Sequence, residues 1–235
     1  MLKVLVGGYP NSGTSFLCNL ISEIGLNTGT KKDLKQADSH NRYGYFENIK
    51  IRNETWKILE EKRFTPWADD FLSKNPLKIA KNQVSEIMTN IDNIIQKDNV
   101  QLYKDNAVPL IYKLFKANVR IIIIERFPRD IYDSPRKAKR DKMPVPYDTF
   151  LESYERYKIL AQKMSEEREV LFVQYEAFAH NFDREVIRIL KFLDIHSSKK
   201  VEQLQSLYKP RELNDSNLSV ETFIKKLLRF FFRKK

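Results

Sequence analysis

The chain has 235 residues, of which 42% are hydrophobic and 31% charged, a composition that excludes a disordered or fibrous protein. It contains one cysteine, Cys18, which excludes a disulfide framework and a cysteine-rich zinc site. The formal net charge is +11, and a basic surplus attracts nucleotides, polyanions and acidic membrane surfaces. No apolar run reaches the roughly 18 residues that a membrane-spanning helix needs.

Short apolar runs alternate with segments of helical periodicity along the chain. Strands are predicted at residues 2–6, 101–104, 119–125 and 170–173. Helices are predicted at residues 14–24, 48–62, 83–96, 129–139, 147–166 and 176–193, with Gly25 as the C-cap of the first. Strands separated by helices of this length form right-handed βαβ units. We therefore expect an α/β protein with three α/β/α layers around a central parallel sheet, of the P-loop nucleotide-binding type. Residues 1–208 are expected to form this domain, and residues 209–235 a basic, phenylalanine-rich C-terminal extension.

The loop between the first predicted strand and the first predicted helix, residues 7–15, reads GGYPNSGTS. Glycines let a backbone turn tightly and approach a ligand, and the free N–H groups of a helix N-terminus favour an anion. Ser12, Thr14 and Ser15 add hydroxyl donors, so the loop predicts a phosphate site, although such residues also form ordinary helix caps. Two of its glycines have the spacing of the kinase loop G-x-x-x-x-G-K-[ST], but Thr14 stands where that loop has lysine.

Two segments resemble the donor-binding motifs of sulfotransferases that use 3′-phosphoadenosine 5′-phosphosulfate (PAPS). YPNSGTSFL, residues 9–17, resembles the loop P-K-S-G-T-T-W-L, which cradles the 5′-phosphosulfate in that family. ERFPRDIYDS, residues 125–134, resembles the element R-N-P-R-D-x-x-x-S, whose arginine and serine bind the 3′-phosphate. The resemblance assigns these two roles to Arg126 and Ser134. It extends over the order of elements across about residues 1–195.

The resemblance implies a donor site and a reaction. The expected ligands of the 5′-phosphosulfate are Asn11, Ser12, Gly13, Thr14 and Ser15. The expected reaction transfers a sulfuryl group from PAPS to a hydroxyl of an acceptor, and no metal is implied because basic residues take the role that Mg²⁺ has in kinases. The family loop usually carries lysine or arginine where this chain has Asn11. Lys104, at the end of a predicted strand, is the candidate for supplying the missing charge.

The candidate general base also comes from the resemblance. RYGYFEN, residues 42–48, is similar to a G-[FYW]-[FW]-E element of bacterial members, whose glutamate can act as the base on the acceptor hydroxyl. Glu47 is therefore the preferred base, and His40 is the alternative. An acid at this position is equally typical of a helix N-terminus, where the helix dipole favours it. FVQYEAF, residues 172–178, resembles the segment V-R-Y-E-D-L, for which we expect an architectural role.

The C-terminal residues 220–235, VETFIKKLLRFFFRKK, hold six basic residues and one acidic residue around several phenylalanines. Such a segment is typical of an amphipathic helix in a membrane interface, and equally of a terminal helix packed on its domain. Binding to an anionic membrane would favour a glycan or a lipid-linked saccharide as acceptor. The lone cysteine, and a strand that starts at once without a signal peptide, predict a cytoplasmic protein. An amphipathic C-terminal helix would associate it with the inner face of the membrane.

Two other functions fit part of the sequence. A P-loop nucleotide or small-molecule kinase would need the lysine that Thr14 replaces, and usually an apolar strand that ends in aspartate, whereas VRIIIIER ends in Glu-Arg. A non-catalytic domain with a degraded nucleotide loop, binding polyanions or membranes, would fit Asn11 and the charged C-terminus. We expect no nucleic-acid partner, because the sequence contains no recognised element of that kind.

Overall fold

The computed structural model describes residues 2–37, 41, 44–59, 81–137, 145–196 and 201–208. The strands within them are β1 Val4–Gly7, β2 Leu102–Lys104, β3 Arg120–Glu125 and β4 Val170–Gln174. The α-helices are α1 Thr14–Glu23, α2 Ile49–Ile58, α3 Lys81–Lys97, α4 Val108–Ile111, α5 Pro128–Lys137, α6 Tyr147–Ser165, α7 Ala177–Leu193 and α8 Val201–Gln205. Short 3₁₀ helices lie at Lys31–Asp33 and Tyr112–Leu114.

The predicted strands have counterparts in the structure, with small shifts at their ends. β1 is displaced toward the C-terminus because Gly7 pairs with Ile123 of β3 and so extends the strand. The predicted helices 48–62 and 129–139 correspond to α2 and α5, and their last residues lie outside the described part of the chain. α4 and α8 were not predicted, since helices this short show no apolar periodicity.

Gly25 ends α1 as predicted. Its φ of 109° lies in the left-handed region, which glycine adopts without strain. The Gly25 N–H donates to the carbonyl of Ser22 at 3.0 Å, and the Leu26 N–H donates to the carbonyl of Ile21 at 3.3 Å. This pair of hydrogen bonds is a Schellman motif, which satisfies carbonyl groups at the end of the helix.

The four strands form one parallel sheet in the order β2-β1-β3-β4. In the register, Val6 of β1 lies beside Lys104 of β2, and Glu125 of β3 lies beside Gln174 of β4. The central part of β3 is four consecutive isoleucines, all buried, as expected for a strand covered on both faces. The predicted parallel sheet is confirmed.

Helices cover both faces of this sheet, because alternate strand residues point in opposite directions. One core joins the helices α2, α3, α4 and α6 to strand residues Leu5, Tyr103, Ile121 and Ile123. The other core joins α1, α7 and α8 to strand residues Val4, Val6, Leu102, Ile122 and Ile124. The predicted three-layer α/β/α architecture is therefore confirmed.

The connections after β1 and β3 leave the sheet toward opposite faces. Leu17 of α1 is buried in one core, and Ile131 of α5 is buried in the other. In parallel sheets, a crevice forms at the carboxyl ends of neighbouring strands whose connections diverge in this way, and ligands bind in it. Here the crevice lies between the loop 7–15 and the residues that follow β3.

Candidate functional site

The loop 7–15 curls tightly over the carboxyl end of β1. The Ser12 N–H donates to the carbonyl of Tyr9 at 3.0 Å, which closes a turn. Asn11 and Gly13 have φ angles of 69° and 104°, both in the left-handed region. Asparagine and glycine are the residues that adopt this conformation most readily, so the sequence fits the curl.

Two glycines are required by close contacts with other parts of the fold. A Cβ on Gly8 would lie 2.4 Å from Ser12 Oγ and 2.7 Å from the carbonyl oxygen of Ile124 in β3. A Cβ on Gly13 would lie 2.4 Å from Cδ2 of Tyr175, the residue after β4. The loop is therefore held against the ends of two neighbouring strands.

The interior of this loop offers donors that need an acceptor. Ser12 is completely buried, and its Oγ has no hydrogen-bond partner in the described part of the chain. α1 begins at Thr14 without a side-chain cap and without an acidic residue in its first turn. Buried polar groups normally have partners, and the first N–H groups of a helix attract anions. The loop therefore has the donor set that a phosphate-like anion requires.

The remaining two hydroxyl residues of the loop differ in their surroundings. Thr14 is buried, whereas Ser15 is half-buried. The Ser15 Oγ accepts a hydrogen bond from the side-chain amide of Asn41 at 2.7 Å. The segment that precedes the candidate base thus contacts the loop 7–15 directly.

Arg126, the predicted 3′-phosphate ligand, lies against the same loop. It is 8% exposed, and its NH1 donates to the carbonyl of Asn11 at 3.3 Å. Its guanidinium lies over the ring of Tyr175, with 4.8 Å between the guanidinium carbon and the ring centroid. Its own carbonyl accepts from the hydroxyl of Tyr154 at 3.0 Å. The arginine is thus held at its backbone carbonyl, at the face of its guanidinium and at one terminal nitrogen.

Ser134, the second predicted 3′-phosphate ligand, is buried in α5. This helix begins at Pro128, one residue before the predicted start, because proline lacks the N–H that a first helical residue leaves unpaired. Since only Phe127 separates Arg126 from α5, the backbone carries both predicted ligands on one continuous segment. Their part in donor binding stays a prediction.

Two residues beside Arg126 were not singled out by the sequence as site residues. Tyr175 contacts both Arg126 and Gly13, and the buried carboxylate of Glu176 lies 3.9 Å from Nε of Arg126. Both lie in the segment 172–178, for which we expected an architectural role. Their position at the carboxyl end of a strand is the signal that points to the site.

Glu47 and Lys104 lie together on the other side of the loop. Lys104 Nζ is 3.1 Å from Oε1 of Glu47, and Arg52 NH1 is 3.1 Å from its Oε2. The side chains of Lys104 and Glu47 are only 4% and 12% exposed. The ring of Tyr45 lies 5.9 Å from Lys104 Nζ. Lys104 is thus a buried cation beside β1 rather than a surface lysine.

Glu47 does not lie in the first turn of α2. Asn48 is the N-cap, and its side chain accepts hydrogen bonds from the backbone N–H groups of Lys50 and Ile51. Glu47 precedes this cap, and its carboxylate contacts the two cations instead. His40, the alternative base, lies outside the described residues.

The end of β2 also carries residues that the sequence did not single out. Asp105 accepts hydrogen bonds from the hydroxyl of Tyr103 and the N–H of Ala107, both at 2.8 Å. Burial raises the pKa of Asp105. The Oδ1 atom of the next residue, Asn106, is buried without a hydrogen-bond partner in the described part of the chain. This edge of the sheet is therefore polar, and not all of its polar atoms are hydrogen-bonded within the described residues.

Cys18 lies in α1 and is fully buried. Burial raises the pKa of its thiol to about 12, although nearby Lys104 opposes the shift. A thiol with this pKa carries almost no thiolate near neutral pH, so Cys18 is not a nucleophile.

Among the described residues, no three His, Cys, Asp or Glu side chains are grouped closely enough to hold a metal. No helix in the described ranges is long and apolar enough to cross a membrane.

Comparison with known proteins agrees with the motifs. The model of the sulfotransferase domain family matches residues 2–234. The sulfotransferase domain from the Synechococcus PCC 7002 olefin synthase superposes with a TM-score of 0.51 at 13% identity, covering 96% of this chain and 82% of that one. The sulfotransferase domain from the curacin biosynthetic pathway gives a TM-score of 0.52 at 12% identity, covering 89% and 78%. No curated protein matches the chain significantly.

The two solved domains support the fold, and the family match extends over nearly the whole chain. That match includes both motifs that the sequence singled out, at residues 9–17 and 125–134. The chain therefore belongs to the sulfotransferase domain family, whose members transfer sulfuryl groups.

Proposed function

We propose that this protein transfers a sulfuryl group from PAPS to a hydroxyl of an acceptor. The observation that carries the proposal is Arg126, a buried arginine whose NH1 donates to the carbonyl of Asn11 and so holds the guanidinium against the loop 7–15. Beside it, the hydroxyl of Ser12, which has no hydrogen-bond partner among the described residues, points to a second anion within the loop. Two anion sites joined by one hydrogen bond fit a nucleotide with phosphates on both its 5′ and 3′ positions.

The roles of the residues follow from this placement. Asn11, Ser12, Gly13, Thr14 and Ser15 hold the 5′-phosphosulfate with the N-terminus of α1. Arg126 and Ser134 hold the 3′-phosphate, and the planar guanidinium suits two phosphate oxygens at once. PAPS supplies the sulfuryl group and a phosphate leaving group when it is bound. No metal is required by this assignment.

The buried pair of Glu47 and Lys104 provides the remaining chemistry. The loop has no cation at Asn11, and Lys104 brings a buried ammonium to the neighbouring strand end. A positive charge in such a site stabilises negative charge that grows on a leaving group. Glu47 takes the proton from the acceptor hydroxyl, because each of its oxygens keeps a lone pair beyond the ion pair. His40 is the alternative base.

The donor assignment is tested by replacing Arg126 with alanine. Arg126→Ala should weaken binding of 3′-phosphoadenosine 5′-phosphate (PAP) by about 10- to 100-fold, corresponding to the ~1.5–3 kcal/mol of a charge-assisted hydrogen bond. Titration calorimetry measures the affinity. Arg129→Ala is the matched control, because Arg129 belongs to the same motif but is paired with Asp133 and has a side chain 64% exposed. Equal affinities of wild type and Arg126→Ala would refute the donor site.

The base is tested by Glu47→Gln, which keeps the shape of the side chain and removes its charge. We expect unchanged PAP affinity and a loss of about 100-fold in the transfer of labelled sulfate from PAPS to hydroxyl acceptors, typical of a general base. His40→Asn is made in parallel. A full rate in Glu47→Gln together with a loss in His40→Asn would move the base to His40.

For the acceptor we propose a glycan or a lipid-linked saccharide near an anionic membrane surface. The proposal rests on the basic and phenylalanine-rich sequence 220–235, which lies outside the described residues. Deletion of these residues should abolish co-sedimentation with vesicles that contain anionic lipid, while PAP affinity is unchanged. Retained sedimentation would show that membrane binding does not depend on the C-terminal residues. The basic residues 136–142 would then be the next candidates for the membrane contact. Such a protein would act at the cytoplasmic face of the membrane.

A further inference from the structure

We propose that Glu176 is a positioning residue that holds Arg126 ready for the 3′-phosphate. The preference for a 3′-phosphorylated nucleotide over a plain 5′-nucleotide then depends on this carboxylate as well as on the arginine. The inference rests on the proposed donor and gives Glu176 a role beyond architecture.

Glu176 is anchored at the carboxyl edge of the sheet. It follows β4, whose last residue Gln174 lies beside Glu125, and it is 6% exposed. Its Oε1 accepts the N–H of Phe127 at 3.0 Å, and its Oε2 accepts from the side-chain amide of Gln174. These two contacts fix the carboxylate on both of its oxygens. Its distance to the neighbouring arginine is therefore set by the sheet.

The carboxylate determines which edge of the guanidinium stays available. Oε1 lies 3.9 Å from Nε of Arg126, so the Nε edge faces a negative charge. One NH1 hydrogen is directed to the carbonyl of Asn11, and one face of the group is covered by Tyr175. An arginine has five N–H donors in one plane, so the remaining terminal donors form the edge that can meet two phosphate oxygens.

Glu176 also balances charge before the nucleotide binds. Both side chains of the pair are less than 10% exposed, at 9% for Arg126 and 7% for Glu176. A buried charge without a counter-ion is strongly unfavourable, so the arginine would otherwise turn toward solvent. Because 3.9 Å exceeds a hydrogen-bond length, Glu176 orients the guanidinium without consuming its donors.

The same carboxylate removes a competing anion site. Phe127 immediately precedes α5, and its N–H would be one of the free donors at that helix N-terminus. Glu176 occupies this donor. A phosphate is therefore directed to the guanidinium edge rather than to the start of α5.

The test compares the affinities for PAP and AMP, which differ only in the 3′-phosphate. Glu176→Gln should weaken PAP binding about tenfold and change AMP binding less than twofold. The dissociation constant for AMP divided by that for PAP, which measures the preference for PAP, therefore falls. Glu185→Gln is the matched control, because Glu185 lies in α7, has a similarly buried carboxylate and pairs with Arg188 at 2.9 Å instead of Arg126. The control should keep the wild-type ratio.

Each other outcome has a definite meaning. Equal losses for PAP and AMP, an unchanged ratio or tighter PAP binding would overturn the role of Glu176, the last because the carboxylate would then compete with the phosphate. If wild-type protein binds PAP no better than AMP, the proposed donor fails and the inference fails with it. If Glu176→Gln does not fold, Gln174→Met is measured in the same way, and a preserved ratio there overturns the inference.

Discussion

At the scale of single residues, the unusual position is Asn11. The family loop usually carries a lysine or arginine here, and this chain carries an uncharged amide in the left-handed conformation, with a φ of 69°. Asparagine adopts this conformation more readily than other non-glycine residues. Its carbonyl accepts from Arg126, so the backbone of Asn11 already takes part in the site while its side chain supplies no charge.

Asn11→Lys tests whether the loop lacks a cation. We expect about fivefold tighter binding of PAP and of AMP alike, because the added charge lies at the 5′-phosphate that both share, a gain of ~1 kcal/mol. The free energy of unfolding should fall by about 1 kcal/mol, since lysine is strained at positive φ. Calorimetry and urea unfolding measure the two effects.

Asn11→Gly separates conformation from charge, because glycine relieves the strain and adds no cation. If the lysine and glycine variants bind PAP equally, the loop does not lack a charge, and Lys104 already supplies the charge that is needed.

Lys104 itself illustrates how much of the site the sequence could predict. Its position at a strand end was predictable, but its ion pair with Glu47 joins residues 57 positions apart and depends on the folded segment between them.

At the scale of elements, the contact of Gly13 with Tyr175 links the start of α1 to the end of β4. The Tyr175 ring is held by neighbouring rings, with centroid distances of 5.7 Å to both Phe16 and Tyr208. It cannot move away freely from a side chain at Gly13. The same ring lies under Arg126, so this contact couples the loop 7–15 to the arginine.

Gly13→Ala should destabilise the protein more than Gly25→Ala. Both glycines have similar positive φ angles, 104° and 109°, so both variants pay a conformational cost of about 1–2 kcal/mol. A Cβ on Gly13 would also meet Tyr175 at 2.4 Å, whereas one on Gly25 has nothing within 4 Å. We expect a further loss of roughly 1–3 kcal/mol for Gly13→Ala in urea unfolding.

The pair of variants also has a functional readout. Gly13→Ala should lose PAP affinity because the displaced ring disturbs Arg126, and Gly25→Ala should keep it. Equal destabilisation and equal PAP affinity in the two variants would show that the contact with Tyr175 affects neither the free energy of unfolding nor PAP binding. The contact itself could not be read from the sequence, because Gly13 follows β1 and Tyr175 follows β4, and the two strands come near each other only by pairing on either side of β3.

At the scale of the whole molecule, the layers were predictable because their signals are local. The run of isoleucines in β3 predicts a buried strand, and the apolar periodicity of α1, α6 and α7 predicts helices, without reference to the rest of the chain. The strand order was not predictable in the same way, since placing β1 between β2 and β3 depends on packing between distant segments. That order puts the loop 7–15 beside Arg126, so that the two separate motifs line one crevice.

The candidate site was predictable to a different degree. The residues proposed to bind PAPS lie in continuous motifs, so their types and spacing are visible in the sequence. Tyr175 and Glu176, which follow β4, lie against Arg126, and no local pattern in the sequence reveals such a contact. Residues that orient a site are thus harder to predict than residues that bind within it.

The measurement that tests the central claim most directly is thermal stabilisation of the full chain by PAP, ADP and ATP with Mg²⁺ at equal concentrations. A ligand that binds only the folded state raises stability by RT ln(1 + [L]/Kd), so the shift in melting temperature ranks the affinities. A donor site that reads the 3′-phosphate through Arg126 predicts a clear shift with PAP and little with ADP. A shift with ATP and Mg²⁺ alone, or no shift with any of the three, would contradict it.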